Sequence, residues 1–135
     1  MENEAVNKLF NNLKVDKYAA IGNDVVYLPN FEISFTPDFK AKVYTHNELD
    51  YCQLFSQPML RYASTWAAKE AVYKALKQLG AAVAGWQNIE ILRNKIAGEP
   101  RVFLHKCPND FNISLSISHD GNYVWAVALV NIKPN

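Results

Sequence analysis

The sequence predicts an α+β fold in which a mainly antiparallel sheet packs against one long central helix. An apolar, β-branched run opens the main body of the chain, helical segments follow it, and alternating strand-like runs fill the C-terminal third. With 135 residues and a hydrophobic fraction of 50%, the chain has the size and composition of one domain around one core. We expect this domain over residues 18–135, preceded by an N-terminal extension over residues 1–17.

The first two predicted elements are a short amphipathic helix and a buried strand. In the extension, four apolar residues recur at helical spacing and predict one face of a short helix: Val6, Leu9, Phe10 and Leu13. Residues 18–28 are apolar and β-branched, and Pro29 ends the strand that they predict. Asp24 interrupts this run beside Gly22, and an acid inside a buried strand requires a reason.

The middle of the chain is predicted to be helical. Residues 39–55 favour a helix in their second half, where Thr45 and Glu48 form a capping box, and Pro58 closes this piece. The strongest helix signal runs over residues 64–80. One stripe at about 100° per residue is apolar and predicts the core face: Ala68, Ala71, Val72, Ala75, Leu76 and Leu79. The opposite side collects acidic, basic and aromatic residues that are predicted to face away from the core: Trp66, Lys69, Glu70, Tyr73, Lys74 and Lys77.

The C-terminal third predicts a hairpin followed by two long strands. Residues 87–93 and 101–106 alternate around a glycine-containing turn. A half-buried strand follows, in which isoleucine and leucine alternate with serine, and it ends at His119. An Asp-Gly turn signal then leads into residues 123–132, an almost wholly apolar run that is typical of a central strand.

Composition argues against several functional classes. Fourteen basic and thirteen acidic residues give a net charge of +1, so we expect neither nucleic-acid nor membrane binding. Cys52 and Cys107 have no C-x-x-C partner or nearby histidine cluster, so neither a zinc site nor a disulfide is expected. The N-terminus lacks the pattern of a leader peptide, and no run of eighteen apolar residues occurs. These features predict a soluble cytoplasmic protein.

Three separated segments carry motifs: residues 22–24 (GND), 66–74 (WAAKEAVYK) and 116–119 (SISH). Together they resemble the 4′-phosphopantetheinyl transferases, whose signatures are G-x-D, W/F-x-x-K-E-A/S-x-x-K and S-x-S-H. Their order, with S-x-S-H last, is similar to that of the small single-lobed holo-acyl-carrier-protein synthases. Residues 45–49 are similar to the T-x-x-E-L segment of the family, and residues 98–100 to its G-x-P. The resemblance implies the single-lobed phosphopantetheinyl transferase fold.

The chemistry of these residue types can be argued from electrostatics. A diphosphate presents clustered negative oxygens, and two carboxylates beside it require a hard divalent cation between them. Asp24 on its strand and Glu70 on the solvent side of the helix could supply oxygens to Mg²⁺, which would neutralise charge during phosphoryl transfer. Lys74, one turn beyond Glu70, is near enough to hold a phosphate oxygen, and Lys69 lies on the flank of that face.

The resemblance assigns roles to individual positions. It implies that the 4′-phosphopantetheine arm of coenzyme A passes to a serine of an acyl carrier protein, with release of adenosine 3′,5′-bisphosphate. Asp24, Glu70 and Lys74 would be catalytic, with Asp24 and Glu70 as ligands of Mg²⁺. Coenzyme A would be bound by Lys69, Lys74, Ser118 and His119. The general base stays open between Glu70, a metal-bound water and His119.

The family also implies partners. Carrier proteins of this kind are acidic, so a basic docking patch is expected, for which the candidates are Lys40, Lys42 and Arg61. An ordinary solvated surface explains these three residues equally well. Small synthases of the family look like homotrimers with active sites between protomers, which predicts a homo-oligomer.

Each motif also has an ordinary structural explanation. Glu70 and Lys74 match a surface ion pair at i, i+4 spacing, Asp24 matches a turn or bulge residue, and His119 matches a solvated hairpin residue. Two other functions stay open, a non-catalytic module that binds coenzyme A or the carrier and a Mg²⁺-dependent phosphohydrolase.

The chain also departs from the family, with Thr65 in place of an arginine, Asn30 in place of a basic residue and Tyr27 in place of an acid. These departures imply weaker or differently shaped contacts to coenzyme A or to the carrier.

Overall fold

The structure, a computed structural model, describes residues 3–81, 83–96, 98–107 and 110–133. Its elements in chain order are α1 (Glu4–Asn12), β1 (Ala19–Tyr27), α2 (Leu28–Ser34), α3 (Pro37–Val43), α4 (His46–Cys52), α5 (Pro58–Gln78), a 3₁₀ turn (Trp86–Asn88), β2 (Ile89–Leu92), β3 (Arg101–Leu104), β4 (Phe111–Asp120) and β5 (Tyr123–Ile132). This arrangement confirms the predicted α+β fold with antiparallel sheets and one long helix.

The main sheet has three antiparallel strands in the order β1-β5-β4, and β2 and β3 form a separate antiparallel pair. The apolar run of β5 is therefore central, as predicted. Along β5 the side chains alternate between buried and exposed, and the buried ones pack under α5 as a row of small apolar residues: Val124, Ala126, Ala128 and Val130. Small residues allow the helix to approach the sheet closely.

The outer face of this sheet is apolar and exposed. The almost wholly apolar run of β5 extends to this face, where Trp125 is 51% exposed. Exposed apolar side chains from β1 and β5 share this face: Ile21, Val25, Tyr27, Tyr123, Trp125, Val127 and Leu129. A contiguous apolar surface of this kind on a water-facing sheet indicates a contact site for another molecule.

The long helix α5 begins at Pro58, earlier than the predicted start at Ser64. The predicted start was wrong because Ser64 lies within the helix, where its hydroxyl donates to the carbonyl of Leu60 at 2.7 Å in the preceding turn. Proline suits a first helical turn, where its missing N–H has no partner in any case. Pro58 therefore opens α5 and does not close the preceding segment.

The short helices α2 and α3 were not predicted, and each carries a proline in its first turn. The capping box of α4 is confirmed, since Glu48 N–H donates to Thr45 Oγ1 at 3.2 Å and Thr45 N–H donates to Glu48 Oε1 at 2.8 Å. Helix α1 is confirmed in the extension, with Asn3 as its N-cap, and none of its residues is buried. Within the described ranges, every helix is too short or too polar to cross a bilayer.

Candidate active site

The carboxylates of Asp24 and Glu70 lie in one open cleft of about 340 Å³, whose walls also include Tyr27, Asn30, Phe39 and Trp66. Asp24 points from the inner face of β1 toward α5 and is only 8% exposed. Glu70 reaches the cleft from the side of α5 that does not enter the core and is half-buried. The fold thus brings together two acids that are remote in sequence, as the motifs predicted.

Gly22 is the residue that allows this approach. A Cβ at this position would lie 1.8 Å from the backbone oxygen of Ala71 and 2.9 Å from the backbone nitrogen of Ala75. Strand β1 therefore packs directly against the backbone of α5, with no side chain between them at Gly22. Asp24 lies two residues further along the same face of the strand, and Glu70 lies one residue before Ala71. The glycine of the G-x-D motif thus sets the distance between the two carboxylate-bearing elements.

The electrostatics of the cleft favour a cation. Burial raises the pKa of Glu70 to about 8, the neighbouring Asp24 carboxylate adds to the rise, and Lys74 opposes it. The Lys74 ammonium donates to Asp24 Oδ1 at 2.9 Å and to the carbonyl of Asn23 at 3.0 Å. The second oxygen, Asp24 Oδ2, is buried and has no hydrogen-bond partner among the described residues. One lysine therefore neutralises the two acids incompletely.

This donor set fits a magnesium ion whose coordination is shared with water and phosphate. Within the described residues, no group of three or more His, Cys, Asp or Glu side chains is placed to bind a metal. Mg²⁺ is commonly held by one or two carboxylates together with substrate phosphates and water molecules. The unpartnered Asp24 Oδ2 and the crowded Glu70 carboxylate supply oxygen donors of that kind.

Lys69 does not line the cleft, whereas the sequence predicted that its side chain lies on the solvent side of α5 and contacts coenzyme A. The side chain is fully buried, and its ammonium donates to Glu48 Oε1 at 2.7 Å, to the Ile89 carbonyl at 2.8 Å and to the Trp86 carbonyl at 2.9 Å. An ammonium has three donors, and all three are used inside the protein. Lys69 therefore has no free donor for a phosphate.

Ser118 and His119 lie away from the two acids within one protomer. Asp24 pairs with Ala126, and Ser118 pairs with Trp125, so Ser118 projects to the outer face of the sheet whereas Asp24 projects to the inner face. Strand β4 is also separated from β1 by β5, which is a distance of roughly 10 Å between strands. The chain alone therefore does not bring the S-x-S-H segment to the cleft.

The three departures from the family pattern differ in their consequences. Thr65 is completely buried and its hydroxyl contacts the Arg61 carbonyl and the Arg93 guanidinium, so this position does not face the cleft. Asn30 and Tyr27 do line the cleft. The missing charges therefore change the cleft wall at two of the three positions.

Two aromatic residues, Phe39 and Trp66, line the cleft, and Trp86 and Tyr73 continue the aromatic cluster outside it. The ring centroid of Trp66 lies 5.0 Å from that of Phe39 and 4.7 Å from that of Trp86, and Trp86 lies 5.2 Å from Tyr73. The spacing of Trp66 and Tyr73 on one helix face was visible in the sequence. The contributions of Phe39 and Trp86 depend on loops and short helices whose positions the sequence pattern does not give.

Comparison with known proteins agrees with the motifs. Residues 20–128 match the family model described as the 4′-phosphopantetheinyl transferase superfamily. A holo-[acyl-carrier-protein] synthase of Chlorobaculum parvum is 38% identical over 113 residues, which cover 82% of this chain and 96% of that protein. The fatty acid synthase subunit alpha of Candida albicans is 37% identical over 81% of this chain and 6% of its own length. The solved structure described as the Chronobacterium ammoniagenes ACPS–CoA complex superposes with a TM-score of 0.74 at 27% identity, covering 86% of this chain and 98% of that one.

Proposed function

Because the chain belongs to the 4′-phosphopantetheinyl transferase superfamily, we propose that it transfers the 4′-phosphopantetheine arm of coenzyme A to a serine of an acyl carrier protein, with Mg²⁺ as cofactor and adenosine 3′,5′-bisphosphate as by-product. The observation that carries the proposal is the meeting of Asp24 and Glu70 in one open cleft, with a buried Asp24 oxygen that lacks a partner. The substrates follow from the relatives, which are named as holo-acyl-carrier-protein synthases and include a structure with coenzyme A.

In the proposed reaction, the serine hydroxyl of the carrier forms a bond to the phosphorus nearest pantetheine as the bond to the bridging oxygen of the diphosphate breaks. Asp24 and Glu70 would hold Mg²⁺, which supplies charge neutralisation at the diphosphate when bound. Lys74 exchanges its contact with Asp24 for a phosphate oxygen, which its half-exposed side chain can reach by rotation. The hydroxyl proton passes to Glu70 or to a water that Glu70 orients, because Glu70 lies in the cleft whereas His119 of the same protomer lies two strands away from Asp24.

The carrier would approach along the rim of the cleft. Helix α3 carries Lys42 one turn after Phe39, which lines the cleft, so Lys42 is better placed for an acidic partner than Arg61, whereas the Lys40 ammonium lies over the Tyr62 ring at 5.5 Å. The guanidinium of Arg61 instead stacks over the ring of Phe55 at 4.1 Å. Asn30 in the cleft wall supplies no charge, and the basic contribution of the rim is correspondingly small.

The test is the mass of an apo acyl carrier protein after incubation with coenzyme A, Mg²⁺ and the enzyme, for the wild type and Asp24→Ala side by side. We expect the wild type to add one phosphopantetheine arm to the carrier. Asp24→Ala should slow the addition by roughly 100-fold or more, because it removes a group that acts on transition-state charge. An unchanged carrier mass with the wild type would contradict the transferase proposal. Release of phosphate without a carrier would instead favour a phosphohydrolase.

We further propose that the chain forms a homo-oligomer through the exposed outer face of its main sheet. The face presents Val25, Trp125, Val127 and Leu129 to solvent, and Ser118 stands beside Trp125 on the same side. If a second copy covers this face, the S-x-S-H segment of the first copy lies at the boundary between the two copies. This arrangement accounts for a motif that lies far from Asp24 within one protomer.

Trp125→Asp is expected to dissociate the oligomer, because a charge buried at an apolar contact is costly unless it is paired. The change should shift the sedimentation coefficient to that of a single chain and reduce arm transfer at low protein concentration. Lys133→Gln at the end of the sheet changes the net charge by the same one unit and serves as a control, since Lys133 is paired with Asp110 at 3.2 Å, outside the apolar face. If Trp125→Asp sediments like the wild type, the sheet face is not the interface.

A further inference from the structure

The buried ion pair of Lys69 and Glu48 connects four parts of the chain beside the proposed site. Lys69 lies on α5, and its ammonium contacts Glu48 on α4, the carbonyl of Trp86 in the 3₁₀ turn and the carbonyl of Ile89 at the start of β2. Both side chains are shielded from solvent, with Lys69 at 0% and Glu48 at 1% exposure. The ammonium is therefore held from three directions.

Glu48 is held just as completely. Its Oε1 accepts from the backbone N–H of Thr45 as well as from Lys69, and its Oε2 accepts from the backbone N–H of Ile91 at 2.8 Å. The carboxylate thus connects the N-terminus of α4 to β2 and, through Lys69, to α5. Every contact in this set has a defined direction, which an apolar pair in the same space would lack.

Net stability is a weak explanation for such a pair. Burial lowers the pKa of Lys69 and raises that of Glu48, and their mutual attraction opposes both shifts. The cost of removing two charges from water commonly offsets much of what their attraction returns. The directed contacts therefore indicate that the pair fixes how the elements it joins are placed relative to one another. The position of Lys69 in the chain shows which placement matters for the proposed site.

Lys69 is the residue directly before Glu70. The side chains of an α-helix extend to about 5 Å from the helix axis. A rotation of α5 by about 10° therefore moves the Glu70 carboxylate by about 1 Å. Displacements of about 1 Å at a reacting centre can lower a rate by about 100-fold. Gly22 sets how closely α5 approaches β1, but a glycine contact with helix backbone does not define the rotation of the helix.

We propose that Lys69 is a positioning residue, which through its ion pair with Glu48 fixes the rotation of α5 and so places the Glu70 carboxylate opposite Asp24. This inference rests on the proposed function, because it assumes that Asp24 and Glu70 together hold Mg²⁺. It differs from a coenzyme A contact by Lys69, since the ammonium has no donor left for a phosphate.

The test compares Lys69→Met and Glu48→Gln with the wild type in three measurements: the Mg²⁺ dissociation constant by calorimetry, kcat, and KM for coenzyme A at saturating Mg²⁺. We expect both variants to weaken Mg²⁺ binding about tenfold or more and to lower kcat by about 10- to 100-fold, with KM for coenzyme A changed less than about twofold. The double variant should be no worse than the poorer single variant, because both changes break one contact.

Leu76→Ala is the control for lost stability, since Leu76 is a buried residue of α5 outside this ion pair. If Leu76→Ala loses as much Tm as Lys69→Met or Glu48→Gln, it should still retain wild-type Mg²⁺ affinity. Glu48→Gln keeps the side-chain shape and carries the test if Lys69→Met does not fold.

Wild-type Mg²⁺ affinity and kcat in a folded Lys69→Met or Glu48→Gln protein would overturn the inference. An equal loss of Mg²⁺ affinity in Leu76→Ala, or a raised KM with Mg²⁺ affinity intact, would do the same. A wild type that fails to bind Mg²⁺ or to modify the carrier overturns the proposed function itself, and with it this inference. The two failures are thus distinguished by the behaviour of the wild type.

Discussion

Glu70→Gln is expected to reduce arm transfer by roughly 100- to 10,000-fold while the protein stays folded. The change removes an anionic oxygen donor and the nearest candidate base, and each of these commonly contributes about 100-fold or more to a rate. Glu70 lies at the open cleft and outside the core stripe, so the amide fits the same space. The measurement is the carrier mass assay at saturating coenzyme A and Mg²⁺, with circular dichroism to establish the fold.

The same substitution has a predicted effect on stability without metal. An acid whose pKa is raised to about 8 in the folded state, from 4.5 in the unfolded chain, binds more protons when folded, so its ionisation destabilises the fold as pH rises through that window. In chelator, the Tm advantage of Glu70→Gln over the wild type should therefore grow between pH 4.5 and 8. Because the group is only half-buried, solvent screening will reduce the size of the effect.

Glu99→Gln provides the matched control. It makes the same chemical change at an exposed acid before β3, whose partner Arg101 lies at 3.5 Å. This variant should retain wild-type transfer and show no comparable pH-dependent gain in Tm. Full transfer by folded Glu70→Gln would remove Glu70 from the reaction.

The fold was predictable wherever one local pattern determined an element. The alternation of β4, the capping box at Thr45 and the apolar stripe of α5 each gave the correct structure. The start of α5 was not predictable in this way, because Pro58 is compatible with both the end of one segment and the first turn of the next. Choosing between them depends on where the chain packs, which is a tertiary property.

The two acids and Lys74 of the proposed site were predictable, whereas the burial of Lys69 was not. Asp24 stood out as an acid inside an apolar run, and its placement in the cleft agrees with that signal. Lys69 was placed on the solvent side by its charge, although about 20° of helical rotation separates it from Leu76 in the core stripe. Helical position was therefore the better guide, because Glu48 compensates the buried charge. No sequence pattern pairs Lys69 with Glu48, since their contact depends on how α4 packs beside α5.

Gly22→Ala is expected to be strongly destabilising, by about 3 kcal/mol or more, since overpacking a core with even one methyl group commonly costs about 1–3 kcal/mol and the contact here is unusually close. The added carbon would lie 1.8 Å from the carbonyl oxygen of Ala71. The obstacle is helix backbone, so no change of side-chain rotamer relieves it. Strand β1 and helix α5 must separate, and this also moves Asp24 away from Glu70.

The measurements are Tm by calorimetry and arm transfer per folded molecule. A loss of about 3 kcal/mol corresponds to a fall in Tm of about 10 °C for a chain of this size, and transfer should fall further than the folded fraction.

Gly80→Ala is the control that separates the effect of steric crowding from the effect of replacing a glycine where there is no crowding. Gly80 has a φ of 75° and open space where a methyl group would lie, so its substitution should cost only about 1 kcal/mol of backbone strain. A Gly22→Ala protein with wild-type Tm would show that β1 and α5 are not in close contact at this point. The G-x-D glycine would then have no part in bringing the two acids together.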